Sequence, residues 1–338
     1  MKQKTLLKTL CICSLVVLFL MPEPALAQQS RGRGRGIYGD WEISMTFGER
    51  EMKSILAFSR NAEGYTGQWI SSWFLSDLDA LSIEENKLSF TQTMRFGDQP
   101  RTSKFVGTID TETGKLTGVL SGEQGDTDIK GQRMSRPARG VGIWDMEIKA
   151  GEREYTGILT ISAAKEGELK GHWKSERGES ELSDVAYEDR KLTFKRTIKR
   201  EDREIVMAFE GTIGTESLEG VYKSEWGEAP ATAKRIGGAA IGTWDLNMSS
   251  DRGDRKQRLR VNPDMSALYG STLIKKIDLE GNNISFKYSL TFGDQSYESS
   301  FKGTIAETKL TGEMTTSRGT RKVTGTKRPS RRGRRPQP

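Results

Sequence analysis

The sequence predicts an all-β protein, three tandem small antiparallel meander barrels or sandwiches of about eight strands each. Three observations predict it. A Gly-x-Trp start recurs at Gly39, Gly142 and Gly242. Apolar and polar residues alternate after each Trp. A set of later landmarks then repeats in the same order in all three copies.

Along the chain, the first element is a leader. Lys2, Lys4 and Lys8 precede an apolar run from Leu10 to Met21, broken only by Ser14, and Ala25-Leu26-Ala27 reads as a cleavage site before Gln28. The run is shorter than the roughly 20 residues a membrane span needs, so residues 1–27 are expected to be a cleaved signal peptide and the mature chain to be exported, periplasmic or extracellular, in a bacterial setting. Both cysteines, Cys11 and Cys13, lie inside that leader. The mature chain therefore has no thiol for a disulfide, a nucleophile or a metal site.

Residues 28–36 carry Arg31, Arg33 and Arg35 with no apolar residue before the last Gly and are expected to be disordered. The first copy spans 37–136. Trp41, Ile43, Met45 and Phe47 alternate with polar residues, the period of a strand with one buried face. The second copy, 139–236, repeats this with Trp144, Met146 and Ile148, and the third, 239–327, with Trp244, Leu246 and Met248. The landmarks that follow are a glycine on a third strand (Gly67, Gly171, Gly270), a Leu/Ile-x-Phe strand ending at Phe90, Phe194 and Phe286, the motif Phe-x-Gly-Thr-Ile at 105–109, 209–213 and 301–305, and Leu-x-Gly beginning at Leu116, Leu218 and Leu310. A Gly-x-Arg/Lys close ends the first copy at Arg133 and the third at Lys327. Gly-, Asp- and Asn-bearing turns such as 47–50, 96–99, 280–283 and 292–295 punctuate the strands. The linkers at 134–140 and 237–240 are short enough that neighbouring modules are expected to touch. Residues 328–338 form a basic tail expected to be disordered.

The whole chain carries +7. Without the leader, which holds three Lys and one Glu, it carries +5. Setting aside the nine cations of the two tails, Arg31, Arg33, Arg35, Lys327, Arg328, Arg331, Arg332, Arg334 and Arg335, leaves a body of −4. The reading is a mildly acidic body with two basic tails.

Gly-x-Trp on the first strand of a small antiparallel unit resembles the calycin group of lipocalin- and avidin-like barrels. The resemblance implies a Trp packed at the barrel floor and an interior that holds an apolar or small polar ligand. A short barrel filled by its own side chains is the alternative.

Candidates for chemistry are few. His172 is the one histidine, and its counterparts are read as Gln68 and Ser271, so an exposed strand residue is expected there. Glu49/Glu51 and Glu152/Glu154 are paired carboxylates at charged hairpins, and Asp126/Asp128 lack the remaining ligands of a calcium loop. No cofactor and no metal site is expected. Trp69 and Trp73 are read on one strand face, with Trp173 matching Trp69 and Thr272 in the third copy. Outward, that face could stack on a ligand; inward, it is core. The expected function is a non-catalytic binding or interaction protein of the envelope or exterior, with Trp69, Trp73 and Trp173 as ligand contacts and a small ligand, glycan or envelope component as partner. Alternatives are a matrix-associated protein held to acidic polysaccharide or another polyanion by Arg31, Arg33, Arg35, Arg331, Arg332, Arg334 and Arg335, and a carboxylate-only hydrolase.

Overall fold

A computed structural model describes residues 36–47, 50–96, 99–163, 167–200, 203–249, 253–292 and 295–329. The leader, Arg31, Arg33, Arg35 and the tail arginines from Arg331 onward lie outside the described residues, as does Glu49. The fold is all-β, with two closed eight-stranded barrels and a third sheet of nine strands that curls without closing. No helix among the described residues is long and apolar enough to cross a membrane.

Barrel 1 is a meander of β1 (Gly39–Phe47), β2 (Arg50–Asn61), β3 (Gly64–Ile70), β4 (Leu75–Glu84), β5 (Lys87–Phe96), β6 (Gln99–Asp110), β7 (Lys115–Gly122) and β8 (Gly125–Arg133). Barrel 2 repeats it with β9 (Gly142–Ala150), β10 (Arg153–Ala163), β11 (Leu169–Ser175), β12 (Gly178–Glu188), β13 (Lys191–Arg200), β14 (Arg203–Ile213), β15 (Ser217–Ser224) and β16 (Gly227–Arg235). Barrel 3 holds β17 (Gly242–Ser249), β18 (Arg255–Val261), β19 (Ala267–Tyr269), β20 (Thr272–Ile274), β21 (Asp278–Glu280), β22 (Asn283–Phe292), β23 (Gln295–Ala306), β24 (Lys309–Thr316) and β25 (Gly319–Lys327). All pairings are antiparallel, and consecutive strands are joined by short turns, so every long-range contact needed to close a barrel comes from its first strand meeting its last.

That closure builds the floor. Trp41 faces Arg133, Trp144 faces Arg235 and Trp244 faces Lys327 across the closing ladder. Each Trp is 0% exposed. The cation lies over the indole at 4.6, 3.9 and 5.5 Å from the ring centroid, an attraction worth about 1–2 kcal/mol once partly desolvated. Arg133 Nη2 also donates to the Gly36 carbonyl (2.7 Å) and Lys327 Nζ to that of Ala239 (2.7 Å), so the cation ties the entering chain to the floor. Arg235 gives the second copy the same close, although Ala233 there replaces the glycine on which the sequence landmark rested.

Above the floor sits a stacked Phe pair in each unit: Phe90–Phe105, Phe194–Phe209 and Phe286–Phe301, with centroids 4.7, 4.7 and 5.0 Å apart. This explains the sharpest sequence motif. A Cβ at Gly107 or Gly118 would lie 2.5 Å from Phe105 Cζ, and Gly211/Gly220 and Gly303/Gly312 crowd Phe209 and Phe301 in the same way. The paired glycines form a slot that the second Phe ring lies across.

Register corrects three internal matches. Leu56 pairs with Trp69, Leu159 with Trp173 and Leu259 with Tyr269. Tyr269, not Thr272, is therefore the counterpart of the two Trp residues. By the same ladders Ala267, not Gly270, matches Gly67 and Gly171, and Leu268, not Ser271, matches Gln68 and His172. Gly270 is a turn residue with φ +60, in a two-residue turn between two three-residue strands. The shared glycine is thus a coincidence of turn chemistry rather than of strand position.

Barrel 1 docks sideways on barrel 3. The outward residues Ile55 and Ala57 of β2 and Ile70 of β3 are buried with Leu75, Met134 and Leu268 around them. A polar network rims this patch. Arg260 Nη1 bonds Asp40 Oδ2 (3.0 Å), and Arg328 Nε bonds Asp245 Oδ2 (2.7 Å) while its Nη2 reaches Gln68 Oε1 (3.1 Å). The buried Arg258 donates to the same Gln68 oxygen and pairs with Asp245 at 3.5 Å. The first two cations of the basic C-terminal run, Lys327 and Arg328, are thus part of the fold.

Candidate functional site: the polar layer at the barrel mouths

Strand alternation places one more inward layer above each Phe stack, toward the hairpins opposite the floor. Pairing identifies equivalent positions: Gln92, Arg196 and Tyr288 two residues beyond the first Phe; Trp69, Trp173 and Tyr269; Leu120, Tyr222 and Met314; Ser76, Ser180 and Thr272; and Ser54, Gly157 and Gln257. Floor and stack are repeated almost unchanged, but this layer is rebuilt in each copy.

Buried polar atoms without a hydrogen-bond partner concentrate here. Most of those among the described residues lie in this layer: both amide atoms of Gln92 and Ser76 Oγ in barrel 1, Trp173 Nε1 and Tyr222 OH in barrel 2, and Arg321 Nη1 in barrel 3, whereas Trp144 Nε1 is at the floor and Arg258 Nε at the interface. A buried polar group left unpaired costs about 1–3 kcal/mol, so these six atoms mark a layer that favours water or another polar partner.

Barrel 2 has the most developed version. Arg196 lies with its guanidinium 4.6 Å from the Trp173 ring centroid and donates Nε to Ser180 Oγ at 3.2 Å. Burial lowers its pKa, the Tyr222 phenol is the one group that opposes this, and among the described residues no carboxylate pairs with it. Tyr222 is 3% exposed, wedged edge-on to Trp173 (6.5 Å) and Phe194 (5.8 Å), and burial raises its pKa. Gly157 makes the packing possible, since a Cβ there would come within 2.2 Å of Trp173 Cζ2. Arg177 stands over Tyr155 at the rim, 4.8 Å from its centroid. The layer thus combines an aromatic wall, a guanidinium with no carboxylate partner among the described residues, and two buried donors without a hydrogen bond.

The sequence-predicted residues separate. Trp69 and Trp173 are 2% and 1% exposed and face inward, so the inward alternative holds for both. Trp73 does not share their strand: β3 ends at Ile70, and Trp73 sits in the 71–74 loop, 43% exposed. The loop leaves the ladder because Ser71 folds it back, its Oγ accepting from the Trp73 and Phe74 backbone N–H groups. His172 is on the outer face of β11 beside Glu179 at 3.5 Å. Glu51, Glu152 and Glu154 are exposed, and no Asp or Glu is among the buried residues of the described chain. No cluster of three or more metal-ligating side chains occurs among the described residues. Arg196, Tyr222 and Gln92 were missed by sequence reading. The available signal was a polar residue two positions after the Phe of Leu/Ile-x-Phe in every copy.

Comparison with known proteins finds no matching family model and no matching curated protein. Among solved structures, a candidate outer membrane protein of Bacteroides fragilis is 13% identical, with 59% of this chain and 97% of that chain covered and a TM-score of 0.28. A protein of unknown function of the DUF3598 family from Nostoc punctiforme is 12% identical (59% and 96% covered, TM-score 0.21). Isotype 1 transferrin binding protein B of Neisseria meningitidis is 14% identical (83% and 63% covered, TM-score 0.19). Scores this low carry no argument about what the chain does. The small eight-stranded barrels expected from Gly-x-Trp are present, but no match extends them to membership of the calycin group.

Proposed function

We propose that the chain is an exported, non-catalytic binding protein, and that barrel 2 takes a small ligand bearing a carboxylate or similar oxyanion on an apolar body. The supporting observation is Arg196, held against Trp173 without a carboxylate partner and beside the unpartnered Tyr222 hydroxyl. Charge-assisted bonds from a guanidinium are about twice as strong as neutral ones and are strongest where water is thin. Export rests on the leader read at residues 1–27. In this reading Trp69 and Trp173 are interior walls rather than surface platforms, and only Trp73 keeps an outward contact role.

The test is native mass spectrometry of the protein from its own host, with calorimetric titration of aryl and alkyl carboxylates. An acidic adduct, or saturable carboxylate binding, that is lost in Arg196→Leu is expected. A bare mass together with no carboxylate binding, or binding unchanged by Arg196→Leu, overturns the reading.

A further inference from the structure

Barrel 3 carries a second, separate arrangement, and two repeats build it. Its β19–β20 hairpin turns after Tyr269, through Gly270 and Ser271. Into the space beside that short hairpin comes the 71–74 loop of barrel 1. Gln257 Nε2 donates to the Ser71 carbonyl (3.0 Å), Thr272 Oγ1 to Ser72 Oγ (2.7 Å), and Ser271 Oγ to the Lys53 carbonyl (2.9 Å). The approach is so close that a Cβ on Gly270 would lie 2.2 Å from the Ser71 oxygen. The loop thereby delivers Trp73 to the rim of barrel 3, edge-on to Tyr297 at 6.3 Å and 81°.

Three arginines from three different segments meet at this rim: Arg255 at the start of β18, Arg318 in the β24–β25 turn, and Arg321 on β25. Arg318 stands 5.9 Å from the Tyr297 centroid, and Arg321 has a buried Nη1 with no partner. Arg318 and Arg321 both act on Arg255 as like charges, and among the described residues no carboxylate stands with them, although the exposed Asp254 is its neighbour in sequence. Three mutually repelling cations cost stability unless an anion neutralises them, and the exposed Trp73 and half-buried Tyr297 beside them offer a surface for a ring.

We propose that the mouth of barrel 3, completed by the 71–74 loop of barrel 1, is a composite oxyanion site in which Arg255, Arg318 and Arg321 hold the charge and Trp73 and Tyr297 flank it. Trp73 is the one side chain that barrel 1 contributes, so a ligand that also stacks on it fastens the two modules together. The oxyanion can be free, or it can be carried on a sugar ring.

The experiment is calorimetric titration of the full chain with inorganic pyrophosphate and with trigalacturonate, in the native protein, in Arg318→Gln/Arg321→Gln, in Trp73→Ala and in Arg196→Leu. Saturable 1:1 binding of at least one probe is expected, weakened tenfold or more in the double arginine variant and unaffected by Arg196→Leu, with near-ultraviolet circular dichroism unchanged. Arg318→Gln alone, at an exposed turn, keeps the test valid if the double variant unfolds, and it is expected to weaken binding threefold or more. Loss of trigalacturonate but not pyrophosphate binding in Trp73→Ala supports a ring-borne anion, and indifference to Trp73→Ala supports a free one. No saturable binding of either probe, or binding undiminished in the arginine variants, overturns the proposal.

Discussion

Tyr222→Phe separates a ligand-contacting role from a structural one. The hydroxyl is buried among Trp173, Phe194 and Phe209, and no donor or acceptor meets it. A buried polar group in that position costs about 1–3 kcal/mol. Phenylalanine fills the same ring volume, so the substitution opens no cavity. The ligand-free protein should therefore become more stable by about 1 kcal/mol, which for a unit of roughly 100 residues raises its melting temperature by about 4 °C or more. At the same time affinity for a carboxylate probe should fall, by about tenfold for one lost bond of about 1.4 kcal/mol. Urea unfolding followed by tryptophan fluorescence reads the first effect, and calorimetric titration the second. Destabilisation of 1 kcal/mol or more would mean that the hydroxyl is bonded in the free protein, and the argument that the layer awaits a ligand would fail for this residue. Unchanged affinity would remove Tyr222 from the contact set.

Other outcomes follow from the same geometry. Arg258→Ala removes the bond to Gln68 across the interface and the ion pair with Asp245 inside barrel 3, and should cost about 1–3 kcal/mol; small-angle scattering should show barrels 1 and 3 parting before either unfolds. Gly211→Ala puts a Cβ 2.5 Å from Phe209 Cζ and should cost about 1–3 kcal/mol by overpacking, read in the unfolding midpoint. Burial raises the pKa of Tyr222, Tyr269 and Tyr288 above the usual tyrosine value of about 10. The folded state then keeps protons that the unfolded state loses, so stability is intact below about pH 10 and declines as pH rises beyond it. A spectrophotometric phenol titration should show these three ionising only with unfolding, and their ionisation alongside the exposed tyrosines would contradict the burial.

The fold was legible because its framework is repeated. Trp41, Trp144 and Trp244, the Phe stacks and the glycine slots recur at fixed spacing, since each solves the same packing problem three times. Period-two alternation then supplied the strands. What failed was local register. Gly270 looked like a strand glycine because a tight turn and a crowded strand select the same residue, and only hydrogen-bond pairing separates the two cases. Trp69 and Trp73 looked like one face because spacing carries no information about where a ladder stops. Ser71, which ends it by accepting from the Trp73 and Phe74 N–H groups, is an ordinary residue in sequence.

The site was hidden for the opposite reason. A comparison of repeats finds what is kept, and the mouth layer is where the copies differ: Gln92, Arg196 and Tyr288 at one position, Leu120, Tyr222 and Met314 at another. Three copies of one container with three different linings are what separate specificities require, whereas three identical fillings would have sufficed for stability alone. The exposed loop of barrel 1 that reaches barrel 3 adds a further asymmetry, because Leu268 is apolar where Gln68 and His172 are polar, and that one change supplies a docking face to the third barrel only. In the proposed reading the divergent positions carry the function, and the repeated ones carry the scaffold that lets them diverge.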